Sequence, residues 1–185
     1  MSDEAEVETY TWKDVPGWTE SFADFYKQIA AGAVDGDRFV EVGTHVGKSA
    51  ILMASCLRDA GKKVSFDAID SYSSPHFDGS PKMWKHYVKL CGVEGFVNLR
   101  VVDMVEGAAA YPDGSLAFVF LDADHSKDGT VAAIRAYLPK VRPGGILAGD
   151  DYDIFQFPHV VEAVQQELAG RVEFQGRTFI CRVPA

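Results

Sequence analysis

The chain has 185 residues, 47% hydrophobic and 24% charged, with 27 acidic residues against 18 Lys and Arg and a formal net charge of −9. That length fits one domain with a core of its own, and the balance of residue types excludes disorder, collagen and coiled coil. The acid surplus argues against a general nucleic-acid binder, which needs a basic face to neutralise phosphates.

Residues 1–8 are acidic and carry no apolar stretch, so no secretory signal is expected. Apolar runs such as 116–121 are far too short to span a membrane, so no membrane partner is expected. Residues 10–31 read as one aromatic-rich amphipathic helix, with Trp18, Phe22, Phe25, Tyr26 and Ile29 on one face, and 32–37 break it. From there β-rich runs at 38–43, 63–70, 97–103, 116–123 and 145–149 alternate with helical runs at 48–59, 81–90, 105–111 and 129–138. A helix at 158–168 follows, then strands at 171–174 and 178–183 split by Gln175-Gly176-Arg177, a spacing that suggests an antiparallel pair. Several strands are continuously apolar, as strands covered on both faces are. The fold class is therefore α/β: a Rossmann-like seven-stranded, mostly parallel sheet with helices on both faces and an antiparallel C-terminal pair. Residues 1–37 form a helical extension packed on a core domain, 38–185. Cys56, Cys91 and Cys181 are odd in number and lack a CxxC spacing, which fits reduced thiols of a cytoplasmic protein.

Five strands end on an acid or a glycine: Glu41-Val-Gly43, Asp70, Asp103, Asp122 and Gly149-Asp150-Asp151. In an open α/β sheet the ligand crevice lies outside these carboxyl ends. The first turn, Glu41-Val-Gly43-Thr44-His45-Val46-Gly47-Lys48-Ser49, admits several readings. A nucleoside-triphosphate loop needs four residues between its glycines, and Thr44, His45 and Val46 are three. A dinucleotide turn needs glycine where Glu41 stands, and a carboxylate there repels a pyrophosphate, which disfavours an NAD-dependent oxidoreductase. An acid at this point suits a ligand bearing positive charge, such as the amino-acid part of S-adenosylmethionine. A capping turn with no ligand is the structural alternative.

The stretch 39–49 resembles motif I of the class I S-adenosylmethionine-dependent methyltransferases, and the likeness runs from about Phe39 to the final antiparallel pair. It implies that Glu41, Gly43, Thr44, His45, Gly47 and Ser49 form the cofactor turn, with His45 packing in the loop rather than catalysing. It further implies that Asp70 holds the ribose hydroxyls, with Ser71 and Tyr72 beside it, and that Asp103 and Met104 meet the adenine. The segments 121–126 and 138–152 are similar to a subgroup of small-molecule O-methyltransferases that includes macrolide-sugar enzymes, with catechol-type relatives further off.

If the fourth and fifth strands pair, Asp122, Asp150 and Asp151 converge, and carboxylates so close call for a cation or protons between them. Hard oxygen ligands select Mg²⁺ or another hard divalent cation. The resemblance places metal ligands at these three positions; the alternative is that Asp122 contacts the cofactor or caps a helix while Asp150 and Asp151 are solvated. His125, three residues past Asp122, stands where macrolide-sugar enzymes carry a general base; otherwise it is a structural His at a helix start, beside the potential N-caps Asp124 and Ser126. Trp84, His86 and Tyr87 follow the Pro/Ser/Gly-rich loop 73–81, a candidate cover for the site, and Trp12 and Trp18 either line its mouth or staple the first helix.

The function expected is transfer of a methyl group from S-adenosylmethionine to a hydroxylated small molecule with a divalent cation. The alternative is a cofactor-binding protein of the same fold without turnover. A homodimer is consistent with the N-terminal aromatics.

Overall fold

The computed structural model describes residues 10–73 and 79–185. The acidic start at 1–8 and the middle of the 73–81 loop lie outside these residues. Strands β1 (Arg38–Val42), β2 (Ser65–Asp70), β3 (Asn98–Val101), β4 (Leu116–Leu121), β5 (Val141–Gly149), β6 (Val172–Gln175) and β7 (Thr178–Arg182) form one seven-stranded sheet. Its order is β3-β2-β1-β4-β5-β7-β6; the first five strands are parallel, and β7 runs antiparallel to both β5 and β6. This is the Rossmann-like arrangement expected from the strand and helix alternation.

Helices α1 (Ala23–Gly32), α2 (Lys48–Asp59) and α3 (Pro81–Leu90) cover one face. The other is covered by α4 (Met104–Gly107), α5 (Lys127–Tyr137) and α6 (Pro158–Leu168). Strand β4 is buried along its whole length because its alternate residues serve both layers: Phe118 and Phe120 face α1 and α2, whereas Val119 and Leu121 face the α5–α6 side. Phe120 meets Phe22 at 4.7 Å and Tyr26 at 4.9 Å between ring centroids, the second edge-on. Aromatic pairs in these tilted geometries contribute about 0.5–1.5 kcal/mol each beyond area burial.

Three elements differ from the sequence reading. The single helix expected at 10–31 is a short 3₁₀ turn at Trp12–Asp14 and then α1, which begins only at Ala23. Pro16-Gly17 breaks it, and Gly17 adopts a φ of +125°, which a helix does not contain. The helix expected at 105–111 starts at Met104, capped by Asp103, and tightens into a 3₁₀ turn at Ala108–Ala110. Strand β5 starts at Val141 instead of 145, accommodating Pro143 through a register shift against β4. Among the described residues no helix is long and apolar enough to cross a membrane.

Replacing Phe120 with Ala opens a cavity under both α1 and β4. Urea unfolding of Phe120→Ala is expected to show a loss of about 3–5 kcal/mol; a loss below about 1 kcal/mol contradicts this account of the core.

Candidate active site

The carboxyl end of β1 is tied to β2 by Gly43 N donating to Ile69 O and to β4 by Asp122 N donating to Val42 O, both at 2.8 Å. Gly43 has a φ of +92°, and a Cβ there would collide with the carbonyl of Asp122, so only glycine permits this approach. Gly47, at φ +96°, starts α2 beneath the ring of Trp84, whose Nε1 donates to Thr44 Oγ1 at 3.1 Å. The helix after the 73–81 loop thus holds the turn from above, and Trp84 is a buried packing residue.

Glu41 lies inside the protein, 1% exposed. Its carboxylate accepts from Tyr26 Oη at 2.8 Å and from Ser49 Oγ at 2.9 Å. Both Glu41 and Ser49 therefore join the turn to α1 and do not stand open in the crevice. Burial pushes the Glu41 carboxyl up to about 7, against the opposing effect of the Tyr26 and Ser49 hydrogen bonds.

Asp70 closes β2 with Oδ2 accepting from His45 N and Oδ1 from Tyr72 N, each at 2.8 Å. Each oxygen retains a lone pair, so the carboxylate can still accept two hydroxyls. Ser71 is exposed and pairs with Ser73 through their hydroxyls at 2.7 Å. Asp103 caps α4, its Oδ1 accepting from Val105 N at 2.8 Å and Glu106 N at 3.2 Å, while Met104 packs against the α5–α6 core. Among the described residues the non-glycine positions with positive φ are His45 (+48°), Tyr72 (+52°) and Asp151 (+63°), all on loops leaving strand carboxyl ends. Strained backbone concentrates at functional sites in this way.

The second group of acids is arranged differently from the expected triad. Asp122 Oδ1 and Asp151 Oδ2 lie 3.6 and 2.9 Å from His125 Nε2. Ligand atoms of these three residues all fall within 4.8 Å of one another, close enough to share one divalent cation. Asp150 turns away because the left-handed backbone at Asp151 splays the two side chains. Its Oδ2 accepts from Ser21 Oγ at 3.0 Å, and its buried Oδ1 has no hydrogen-bond partner among the described residues. So His125 takes the place expected for Asp150. Ser126 is the N-cap of α5, accepting from Gly129 N at 3.1 Å, which leaves His125 free of any capping role.

Burial and then the Asp151 charge push the Asp122 carboxyl up, against the opposing pull of His125, although 24% of its side-chain surface remains accessible. Burial, with the Asp122 charge second, takes Asp150 to about 6. The neighbouring carboxylates, Asp122 first and then Asp151, push His125 up to about 10, which favours the imidazolium beside them.

Three participants escaped the sequence reading. Arg177, read only as part of a strand connection, donates from Nη2 to Asp151 Oδ1 at 2.9 Å. Tyr26, read as one of an apolar stripe, is the partner of Glu41. Lys48, read as part of the turn, ties down the N-terminal segment: its Nζ donates to Gly17 O at 3.0 Å and meets Glu20 at 2.8 Å. Trp12 is packed on the core and Trp18 is 76% exposed.

Residues 40–152 match a family model described as a methyltransferase domain. Among solved structures, an S-adenosylmethionine-dependent O-methyltransferase from Thermotoga maritima superposes with a TM-score of 0.68 at 15% identity, covering 94% of this chain and 68% of its own. A cofactor-bound protein from MTB gives 0.67 at 19% identity over 91% and 83%. A TDP-rhamnose 3′-O-methyltransferase of calicheamicin biosynthesis gives 0.63 at 17% identity over 92% and 89%. No curated protein matches the chain in sequence.

Two outcomes follow from the charges. Because the folded-state value of Glu41 is raised from 4.5 to about 7, the native state holds this proton more tightly than the unfolded chain, so Glu41 contributes a penalty that grows as pH rises through that window. Glu41→Gln is expected to gain stability relative to the parent between pH 4.5 and 7, by about 3 kcal/mol at most; denaturation at pH 4 and pH 8 reads it, and a constant difference contradicts it. In the metal-free protein, ¹⁵N-edited NMR is expected to show His125 doubly protonated at pH 8, and a neutral tautomer at that pH contradicts the paired geometry.

Proposed function

The chain belongs to the methyltransferase-domain family, and from that premise we propose that it uses S-adenosylmethionine as methyl donor and that its acceptor is a hydroxyl group of a small molecule held beside a divalent cation. The observation that carries this reading is the convergence of Asp122, His125 and Asp151 at the ends of β4 and β5, next to the cofactor turn. The carboxylate oxygens of Asp122 and Asp151 form a hard donor pair suited to Mg²⁺ or Mn²⁺.

When bound, S-adenosylmethionine supplies an electrophilic methyl group and the cation a Lewis acid that makes an acceptor hydroxyl more acidic. Asp70 accepts from the ribose hydroxyls, Asp103 and Met104 border the adenine, and the backbone from Gly43 to Gly47 lets the amino-acid end approach closely. Asp122 and Asp151 would hold the cation, while Asp150, bonded to Ser21, stands outside that donor set. His125, with Nε2 beside both carboxylates, would be the residue that takes up the acceptor proton. The N-terminal segment, tied down by Lys48 and by the Ser21–Asp150 bond, shields one side from water. Exposed Trp18, Ile154 and Phe155 offer apolar surface to the unreactive part of the acceptor.

Methyl transfer to a panel of vicinal diols and catechols is expected to fall at least tenfold after EDTA treatment and to return with Mg²⁺ or Mn²⁺; full activity after chelation refutes the cation. His125→Ala is expected to lower kcat by about 10²–10⁴ with cofactor affinity nearly intact. Asp70→Ala is expected to weaken cofactor binding about tenfold or more, and unchanged affinity removes it from the ribose site.

A further inference from the structure

Arg177 sits in the connection between β6 and β7, with each end of the residue engaged by the segment that follows β5. Its carbonyl accepts from Tyr152 N at 2.9 Å, and Nη1 donates to Gln156 Oε1 at 2.6 Å. Nη2 donates to Asp151 Oδ1 at 2.9 Å and stands 3.8 Å from Asp150 Oδ2. The guanidinium lies 5.8 Å from the ring of Phe157, whose other neighbour is the His125 ring at 5.0 Å. The guanidinium serves Gln156 and Asp151 from two different nitrogens at once.

We propose that Arg177 is a positioning residue for the acid cluster, occupying Oδ1 of Asp151 so that Oδ2 alone faces His125 and the cation, and using its charge to keep cation binding weak and exchangeable. The inference rests on the cation reading given above. Two physical points support it. Asp151 adopts a left-handed backbone, which persists where surrounding contacts over-determine it, and the bond from Arg177 to Oδ1 is one of those contacts. Asp122, Asp150 and Asp151 bring three acids together, and Arg177 and His125 are the cationic side chains in contact with them among the described residues. Removing the guanidinium raises the negative potential at the cation position, an effect worth on the order of tenfold in affinity at this range.

The test uses the full chain saturated with S-adenosylhomocysteine and titrated with Mn²⁺, free Mn²⁺ being read by electron paramagnetic resonance. Arg177→Gln is expected to bind Mn²⁺ about tenfold more tightly, with unchanged affinity for S-adenosylhomocysteine by calorimetry. Arg177→Lys keeps the positive charge beside Asp151, and since the effect is read from charge it is expected to stay within about twofold of the parent. Mn²⁺ affinity that is unchanged in Arg177→Gln, or weakened together with S-adenosylhomocysteine affinity as general damage would do, overturns the assignment. If Arg177→Gln does not fold, the lysine variant decides, and a tenfold change there overturns it. A parent protein that takes no Mn²⁺ beside an Arg177→Gln variant that does sinks the cation reading and upholds the role of Arg177. A parent that binds Mn²⁺ beside a variant that binds it equally well does the reverse.

Discussion

Negative charge gathered at one edge of a parallel sheet is the constraint around which this protein is organised. Parallel strands lie about 4.8 Å apart, and the chain places an acid at the end of each of the first five. Each acid is accommodated by different means. Glu41 is buried among neutral donors and retains its proton to about 7. Asp70 accepts backbone amides, and Asp103 accepts those at the start of α4. Asp122 and Asp151 are compensated by His125, and Asp151 also by Arg177. The loops, the N-terminal segment and the final hairpin all contribute partners to this edge, so the features that make the site reactive also determine how the periphery folds.

The same edge explains the placement of α1. Tyr26 inserts its ring edge-on between Phe118 and Phe120 while its hydroxyl reaches Glu41. One side chain thereby joins an apolar layer to a buried acid. The fit of α1 against β4 and the position of the turn after β1 are consequently coupled through Tyr26 and Glu41, which are fifteen residues apart in the chain.

Most of the fold was legible because its signals are local: β4 is continuously apolar, α2 and α6 have clear periodicity, and Gln175-Gly176-Arg177 marks a hairpin. The break at Pro16-Gly17 was also written in the chain, but the aromatic spacing on both sides masked it. In the site, positions next to strand ends were legible, since topology alone brings Asp70, Asp103 and Asp122 to the crevice. The direction of a side chain was not. Asp150 and Asp151 are neighbours in sequence, yet the backbone at Asp151 sends one toward Ser21 and the other toward His125. Arg177 contacts Asp151 across twenty-six residues, and no spacing rule links them.

Lys48 belongs to the turn over which a cofactor would lie, and it also anchors Gly17 and Glu20 of the segment leading into α1. The turn and that segment are therefore coupled through one side chain. Stabilising the turn favours the closed segment, and fraying of the segment removes a hold on the turn. Hydrogen exchange at the backbone amides of residues 17–22, remote in sequence from any strand end, is thus a gauge of occupancy at the turn.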